Sequence, residues 1–181
     1  MSTELDPKDY RRTPWKNGGG VTIDIAEQDN AWRFGRTPIT APGPFSDYAG
    51  FDRVQVLVSG AGLVLQTPTG EIDVRTPFKP VAFAGETPIT SRLEGGPVEV
   101  VNLIGNRAAV RIDLQVLRAG AAIGRSAGTH IVYAADGPAA LAIDRAPHRL
   151  ASDHALRVDL TNPGMIACTD GMLLVGSVIC V

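Results

Sequence analysis

Cysteine is almost missing from this chain of 181 residues: Cys168 and Cys180 are the only two. That excludes the disulfide framework of a small secreted domain, and free, buried thiols are the expected state. Blocks of like charge are missing too, with 17 Lys plus Arg set against 19 Asp plus Glu and no run of either sign. Neither a nucleic-acid footprint nor a polybasic membrane patch is implied. No apolar run approaches the ~18 residues of a membrane span. The opening "MSTELDPKDY" has no apolar core of a secretory signal, which predicts a cytoplasmic protein. The three histidines, His130, His148 and His154, form no His-x-His motif, so no metal and no other cofactor is expected. A G-x-S-x-G elbow and a cysteine with a histidine partner are also lacking, and no catalytic residue is assigned.

Long helical periodicity is absent as well, and short alternating segments take its place. "VTIDIA" (21–26), "VQVLV" (54–58), "GLVLQT" (62–67), "VEVVNLI" (98–104), "RIDLQVL" (111–117), "HIVYAA" (130–135) and "MLLVGSVICV" (172–181) are examples. Twenty glycines and 13 prolines lie scattered between such runs in turn signals such as "TPTGE", "EGGP" and "TNPG". Many short strands at regular spacing predict an all-β barrel or sandwich.

Sliding the chain on itself by 75 residues lays Val56-Leu57-Val58 over Ile131-Val132-Tyr133. The same offset lays Val100-Val101-Asn102-Leu103-Ile104 over Val175-Gly176-Ser177-Val178-Ile179. A repeat of this kind predicts two related β units, 53–117 and 129–181, with residues 1–52 adding strands and "RAGAAIGRSAG" (118–128) as the joint. The expected fold is a bicupin, two jelly-roll-like β-barrel units packed as one molecule. The first unit with its N-terminal strands spans 1–117, and the smaller second unit spans 118–181.

Three clusters carry candidate chemistry. "WKNGGGVT" (15–22) is a poor phosphate loop, because its lysine precedes the glycines and a strand follows. It is either a glycine turn feeding that strand or a loop that brings Trp15, Lys16 and Asn17 up to a ligand. "GPFSDYAGFDR" (43–53) offers Ser46 and Arg53. Arg53 is either a strand-edge residue paired with Asp52 or Asp47, or an inward-pointing fork for a carboxylate. In "VEVVNLIGNR" (98–107), alternation places Val98, Val100, Asn102 and Ile104 on one face. Asn102 then needs a partner among its apolar neighbours: backbone, a buried water or a ligand. Arg107 follows at the rim.

Taken in order, "PWKNGGGVT", "WRFGRTPI", "GPFSDYAGFDR", "PFKPVAFAGE" and "VNLIGNR" resemble the HutD/Ves family over about residues 10–117. The resemblance implies a cytoplasmic bicupin associated with histidine utilisation, with a metal-free pocket and no established enzymatic activity. Gly35 and Arg36 depart from the small-residue strand usual at that point, and Arg36 adds a charge.

The expected function is the binding of a small anionic metabolite, urocanate or formylglutamate if the resemblance carries through. Lys16, Arg53 and Arg107 would meet the carboxylate. Asn17, Ser46 and Asn102 would give directional hydrogen bonds, and Trp15, Trp32 and Phe83 would form apolar walls. Two alternatives stand beside it. One is an isomerase or hydrolase using Lys16, Asp52 or Glu86 as acid or base. The other is an interaction protein without a small ligand. A homodimer through strand edges is compatible with each.

Overall fold

A computed structural model describes residues 1–15 and 18–181. Lys16 and Asn17 lie outside the described residues. The chain divides into two compact units, Arg11–Ala109 and a second made of Met1–Tyr10 together with Val110–Val181.

Strand β1 (Ser2–Leu5) and a single 3-10 turn, Pro7–Asp9, precede the first unit. The first unit then holds β2 (Arg11–Pro14), β3 (Val21–Gln28), β4 (Trp32–Ile39), β5 (Gly43–Pro44), β6 (Phe51–Ser59), β7 (Leu63–Thr67), β8 (Gly70–Val74), β9 (Val81–Ala84), β10 (Thr90–Leu93) and β11 (Val98–Asn106). They form a six-stranded sheet, β2-β3-β4-β11-β6-β9, and a four-stranded sheet, β5-β10-β7-β8. Every pairing is antiparallel.

The C-terminal unit holds β12 (Val110–Arg118), β13 (Ala122–Arg125), β14 (Gly128–Tyr133), β15 (Ala139–Ile143), β16 (Ala146–Leu150), β17 (Ala155–Leu160), β18 (Gly164–Asp170) and β19 (Met172–Cys180). Its sheets run β1-β17-β14-β19-β12 and β13-β18-β15-β16. Val132, Leu141, Ile166, Leu173 and Val175 are buried in its core.

The repeat is deeper than the residue identities suggest. Moved by 75 residues, each of β6 to β11 falls on the matching strand of β14 to β19. The neighbours repeat as well: β11 lies between β4 and β6, as β19 lies between β12 and β14, and β5-β10-β7-β8 matches β13-β18-β15-β16. The units differ at opposite edges: the first adds β3 and β2 beyond β4, and the other adds β1 beyond β17, the counterpart of β9.

The unit boundaries differ from those expected. β12 pairs along its length with β19, from Val110 opposite Cys180 to Arg118 opposite Met172, so residues 110–117 belong with the C-terminal half. β1 also belongs there, paired with β17 from Ser2 opposite Val158 to Leu5 opposite Ala155. The supposed joint at 118–128 is itself structured. It contains β13, paired with β18, because Ala122 and Ile123 find partners in Ala167 and Ile166. Both cysteines are free thiols, but only Cys168 is buried while Cys180 is exposed. Among the described residues no helix is long and apolar enough to cross a membrane.

The core of the first unit sets the place of its cavity. Leu57 on β6, Val98 and Val100 on β11, Ile39 on β4 and Leu63 and Leu65 on β7 are buried together. Side chains alternate across a strand, so the face carrying Leu57 also carries Gln55 and Arg53, and the face carrying Val100 carries Asn102. One interior surface is therefore apolar at one end and polar at the other.

Candidate functional site

At that polar end a cavity of about 50 Å³ opens between residues of the first unit. β4 contributes Arg33, Gly35, Thr37 and Ile39, β6 contributes Arg53 and Gln55, and β11 contributes Asn102 and Ile104. Trp15, Thr22 and the 45–48 loop, through Phe45, Ser46 and Tyr48, complete the lining.

Arg53 dominates the site electrostatically. Only 7% of it is exposed. Its guanidinium carbon lies 5.1 Å from the ring centres of Phe45 and Phe83 and 5.5 Å from that of Tyr48. Such contacts attract a cation to the ring faces without neutralising it. Nη2 donates to Oδ1 of Asn102 at 3.3 Å, and Nε is buried without a hydrogen-bond partner. Among the described residues no carboxylate pairs with it. Burial accordingly pushes its pKa down to about 10.

The surroundings hold Arg53 in place. Asn102 Oδ1 also accepts from Gln55 Nε2 at 3.2 Å, its neighbour directly across the β11–β6 ladder. Gln55 is fully buried, and its Oε1 has no partner. The second arginine in the lining is already neutralised: Arg33 Nε lies 3.3 Å from Asp24 Oδ1 and 3.5 Å from Glu27 Oε2.

The glycines earn their positions by contact. Gly20 lies beneath Trp15, where an added Cβ would come within 3.0 Å of the indole ring. Trp15 N also donates to Gly20 O at 2.9 Å, and Gly18 adopts φ +72°. Gly18 and Gly20 thus help lay Trp15 against the cavity. Its indole Nε1 donates to Thr22 Oγ1 at 3.1 Å, which lies 3.3 Å from Thr37 Oγ1. Gly35 allows close approach of β3, since a Cβ there would sit 2.8 Å from Ile23 O.

Of the residues picked out from sequence, Trp15, Ser46, Arg53 and Asn102 meet at the cavity. Phe83 stands behind Arg53, facing its guanidinium. Lys16 and Asn17 fall outside the described residues. Trp32 and Arg107 do not line the cavity. Trp32 is buried near Gln28, with Nε1 3.4 Å from Gln28 Oε1. Arg107 binds Asp52 Oδ1 at 2.7 Å, Phe51 O at 2.8 Å and the Glu86 carboxylate. That network occupies Asp52 and Glu86 as well, so neither acid proposed as a general base faces the cavity. Asp52 is engaged there because it points to the opposite side of β6 from Arg53. Arg36 likewise lies on the opposite face of β4 from the cavity and pairs with Glu99.

Sequence reasoning missed Gln55, Thr22, Thr37, Tyr48 and Phe45. Gln55 was legible in principle, as the residue two past Arg53 on an alternating strand. The 45–48 loop was not, because its position depends on long-range bonds: Tyr48 N donates to Gly85 O at 3.0 Å and Phe45 N to Ile89 O at 2.9 Å.

Metal ligation is not built into the described residues, among which no group of three or more His, Cys, Asp or Glu is placed to hold an ion. His130 and His154 are engaged with Ser177 and Glu4 respectively.

The HutD family model matches residues 7–174. A 21.2 kDa protein in the hutC 3' region of Pseudomonas putida is 33% identical over 137 residues, 72% of each chain. Two solved structures superpose over the whole of both chains. One is a conserved protein of Pseudomonas aeruginosa PAO1, with a TM-score of 0.87 and 25% identity. The other is HutD from Pseudomonas fluorescens SBW25 in a formate condition, with a TM-score of 0.84 and 26% identity. A more distant likeness, of fold alone, reaches the cupin-like salicylate 1,2-dioxygenase of Pseudaminobacter salicylatoxidans. Its TM-score is 0.62 at 8% identity over 87% of this chain and 76% of that one.

Proposed function

The chain belongs to the HutD family, and on that footing we propose that it is a cytoplasmic bicupin whose first unit binds a small carboxylate metabolite and so modulates histidine utilisation. Membership ties it to the histidine-utilisation locus. The observation that carries the ligand class is Arg53, a nine-tenths buried guanidinium held by an amide and three aromatic rings with no acid paired to it among the described residues. A buried charge without a counter-ion is costly, and a bound carboxylate supplies the missing partner through two parallel N–H···O bonds.

Size narrows the reading. The cavity, about 50 Å³, exceeds the ~10–15 Å³ that one water needs. It suits the carboxylate end of a metabolite, with the remainder passing Trp15 and Ser46 of the lining. Urocanate and formylglutamate both present such an end. Binding is favoured over catalysis because Asp52 and Glu86 are tied to Arg107 and not to the cavity.

Thermal unfolding with urocanate, formylglutamate, glutamate, histidine and formate tests the proposal. A ligand at about 100 times its Kd adds roughly 2.7 kcal/mol, which for a chain of this length raises Tm by about 5–10 °C. The expected result is a rise with a carboxylate that disappears in Arg53→Met. No rise with any carboxylate, or the same rise in Arg53→Met, overturns the proposal.

A further inference from the structure

The polar floor of the first cavity has a counterpart in the C-terminal unit. Moving Gln55 and Asn102 by 75 residues gives His130 and Ser177. Asn102 faces Gln55 across the β11–β6 ladder, and His130 faces Ser177 across β14–β19. Both pairs are buried and bonded, here with His130 Nδ1 2.9 Å from Ser177 Oγ. Beside them lies a cavity of about 160 Å³, whose lining includes Arg111, Asp113, Arg125 and Ser126.

We propose that this cavity is a second site for a small carboxylate, held by the unpaired Nε–Nη2 edge of Arg125 beside the His130–Ser177 floor. The Arg125 side chain is only 10% exposed. Its Nη1 donates to Asp113 Oδ2 at 2.7 Å, while Nε and Nη2 are both buried without a hydrogen-bond partner. Those two atoms form one edge of the guanidinium fork, the edge that a carboxylate engages side-on with two bonds. Asp113 fixes the other edge and so orients the free one.

The charge around the site agrees. Arg111 and Arg125 stand against the single acid Asp113, which leaves room for one anionic charge. His130 adds none. Its Nε2 lies 3.1 Å from Ser126 O and must carry the proton, so Nδ1 accepts from the Ser177 hydroxyl. Burial holds its pKa below the ordinary histidine value, which keeps the ring neutral.

The cation reaches the two cavities by different routes. The residue matching Arg53 is Gly128, with φ +150°, where an added Cβ would run into the Ile179 side chain and sit 2.8 Å from Val178 O. No side chain fits there. The guanidinium comes instead from β13, the strand corresponding to β5.

Protein labelled with ¹⁵N, titrated with sodium acetate and separately with sodium chloride at equal ionic strength, tests this inference. The Nε–Hε signals of Arg53 and Arg125 are assigned through Arg53→Met and Arg125→Lys. In Arg53→Met, the Arg125 signal is expected to move saturably with acetate and to stay in place with chloride. Read at the Ser126 amide, Arg125→Lys in that background should weaken acetate at least tenfold, because an ammonium lacks the fork. An Arg125 signal that ignores acetate throughout, or follows chloride and acetate alike, overturns the second site whatever Arg53 does. Should Arg53→Met fail to fold, the Arg125 signal of the wild-type protein decides the matter by the same criteria.

Discussion

Asn102 turns the oxygen of its amide toward Arg53, 3.3 Å from Nη2. A neutral acceptor therefore stands where an ion pair would place a carboxylate. The arrangement orients the guanidinium and leaves its charge available.

Replacing that acceptor with an acid supplies an internal counter-ion. Asn102→Asp is expected to fold normally, because Gln55 Nε2 still has an oxygen to donate to. The built-in carboxylate competes with any bound one, and affinity for carboxylates should fall at least tenfold, about 1.4 kcal/mol. Titration calorimetry checks the loss, and thermal unfolding checks the fold.

Arg53→Met removes the charge and keeps much of the length of the side chain. Breaking a salt bridge strands a charged partner, but among the described residues no acid pairs with Arg53, and Asn102 Oδ1 keeps its bond from Gln55. Stability without ligand should stay within about 1 kcal/mol of wild type or rise. Urea unfolding measures this, and a loss of several kcal/mol would mean that Arg53 serves the fold more than the site.

Alkaline pH gives a second view of the same charge. Burial depresses the folded-state pKa of Arg53 to about 10, well below that of a solvated guanidinium. Between those values the unfolded chain binds more protons, so this group's contribution to stability rises with pH. Wild type should therefore gain stability relative to Arg53→Met as pH rises above 10. A difference constant across that range would contradict the desolvated state of Arg53.

His130 produces the corresponding effect in acid. Burial lowers its folded-state pKa below 6.5, opposed by its bond to the Ser126 carbonyl and by Asp159, with Arg125 adding to the depression. The unfolded state then takes up the proton first, so stability from the neutral ring is complete above about pH 6.5 and is lost as pH falls through and below it. His130→Gln installs the residue that Gln55 represents in the first unit. It should flatten this part of the stability profile, as urea midpoints at several pH values will show.

Gly20→Ala addresses the loop at the mouth. A methyl 3.0 Å from the Trp15 ring forces the indole outward, away from Thr22. The expected outcome is a severalfold loss of carboxylate affinity with a stability cost of about 1 kcal/mol. Trp15 emission should also move toward the solvent-exposed range, whereas Trp32 stays buried.

Much of the architecture was legible because it follows from period-two alternation, and the alternation of 98–104 put Asn102 and Ile104 on one face, which in the structure lines the cavity. The 75-residue offset was legible for a different reason: a repeated topology keeps strand spacing long after residue identities fade. β12 was assigned to the wrong half because pairing partners are not written locally. Nothing in "RIDLQVL" announces that Leu114 faces Gly176. β13 was taken as a joint because Gly, Ala and Ser dominate its surroundings, although packing and not propensity fixes a short edge strand. Arg53 was singled out because it leads into an apolar strand and carries a planar charged fork. Arg107 was misplaced because a residue just past a strand end is positioned by whichever acids approach it, here Asp52 and Glu86.

The placement of β1 bears on how the protein is made. Residues Ser2–Leu5 are synthesised before Arg11–Ala109, yet their hydrogen-bonding partners, Ala155–Val158, are synthesised only after it. The opening segment must wait unpaired while Arg11–Ala109 has every one of its own strand partners already translated. Vectorial synthesis thus favours early completion of the half with the Arg53 cavity and delays closure of the other. A disturbance of Ser2–Leu5 would therefore burden the half that is completed later, although it lies ahead of the half completed earlier.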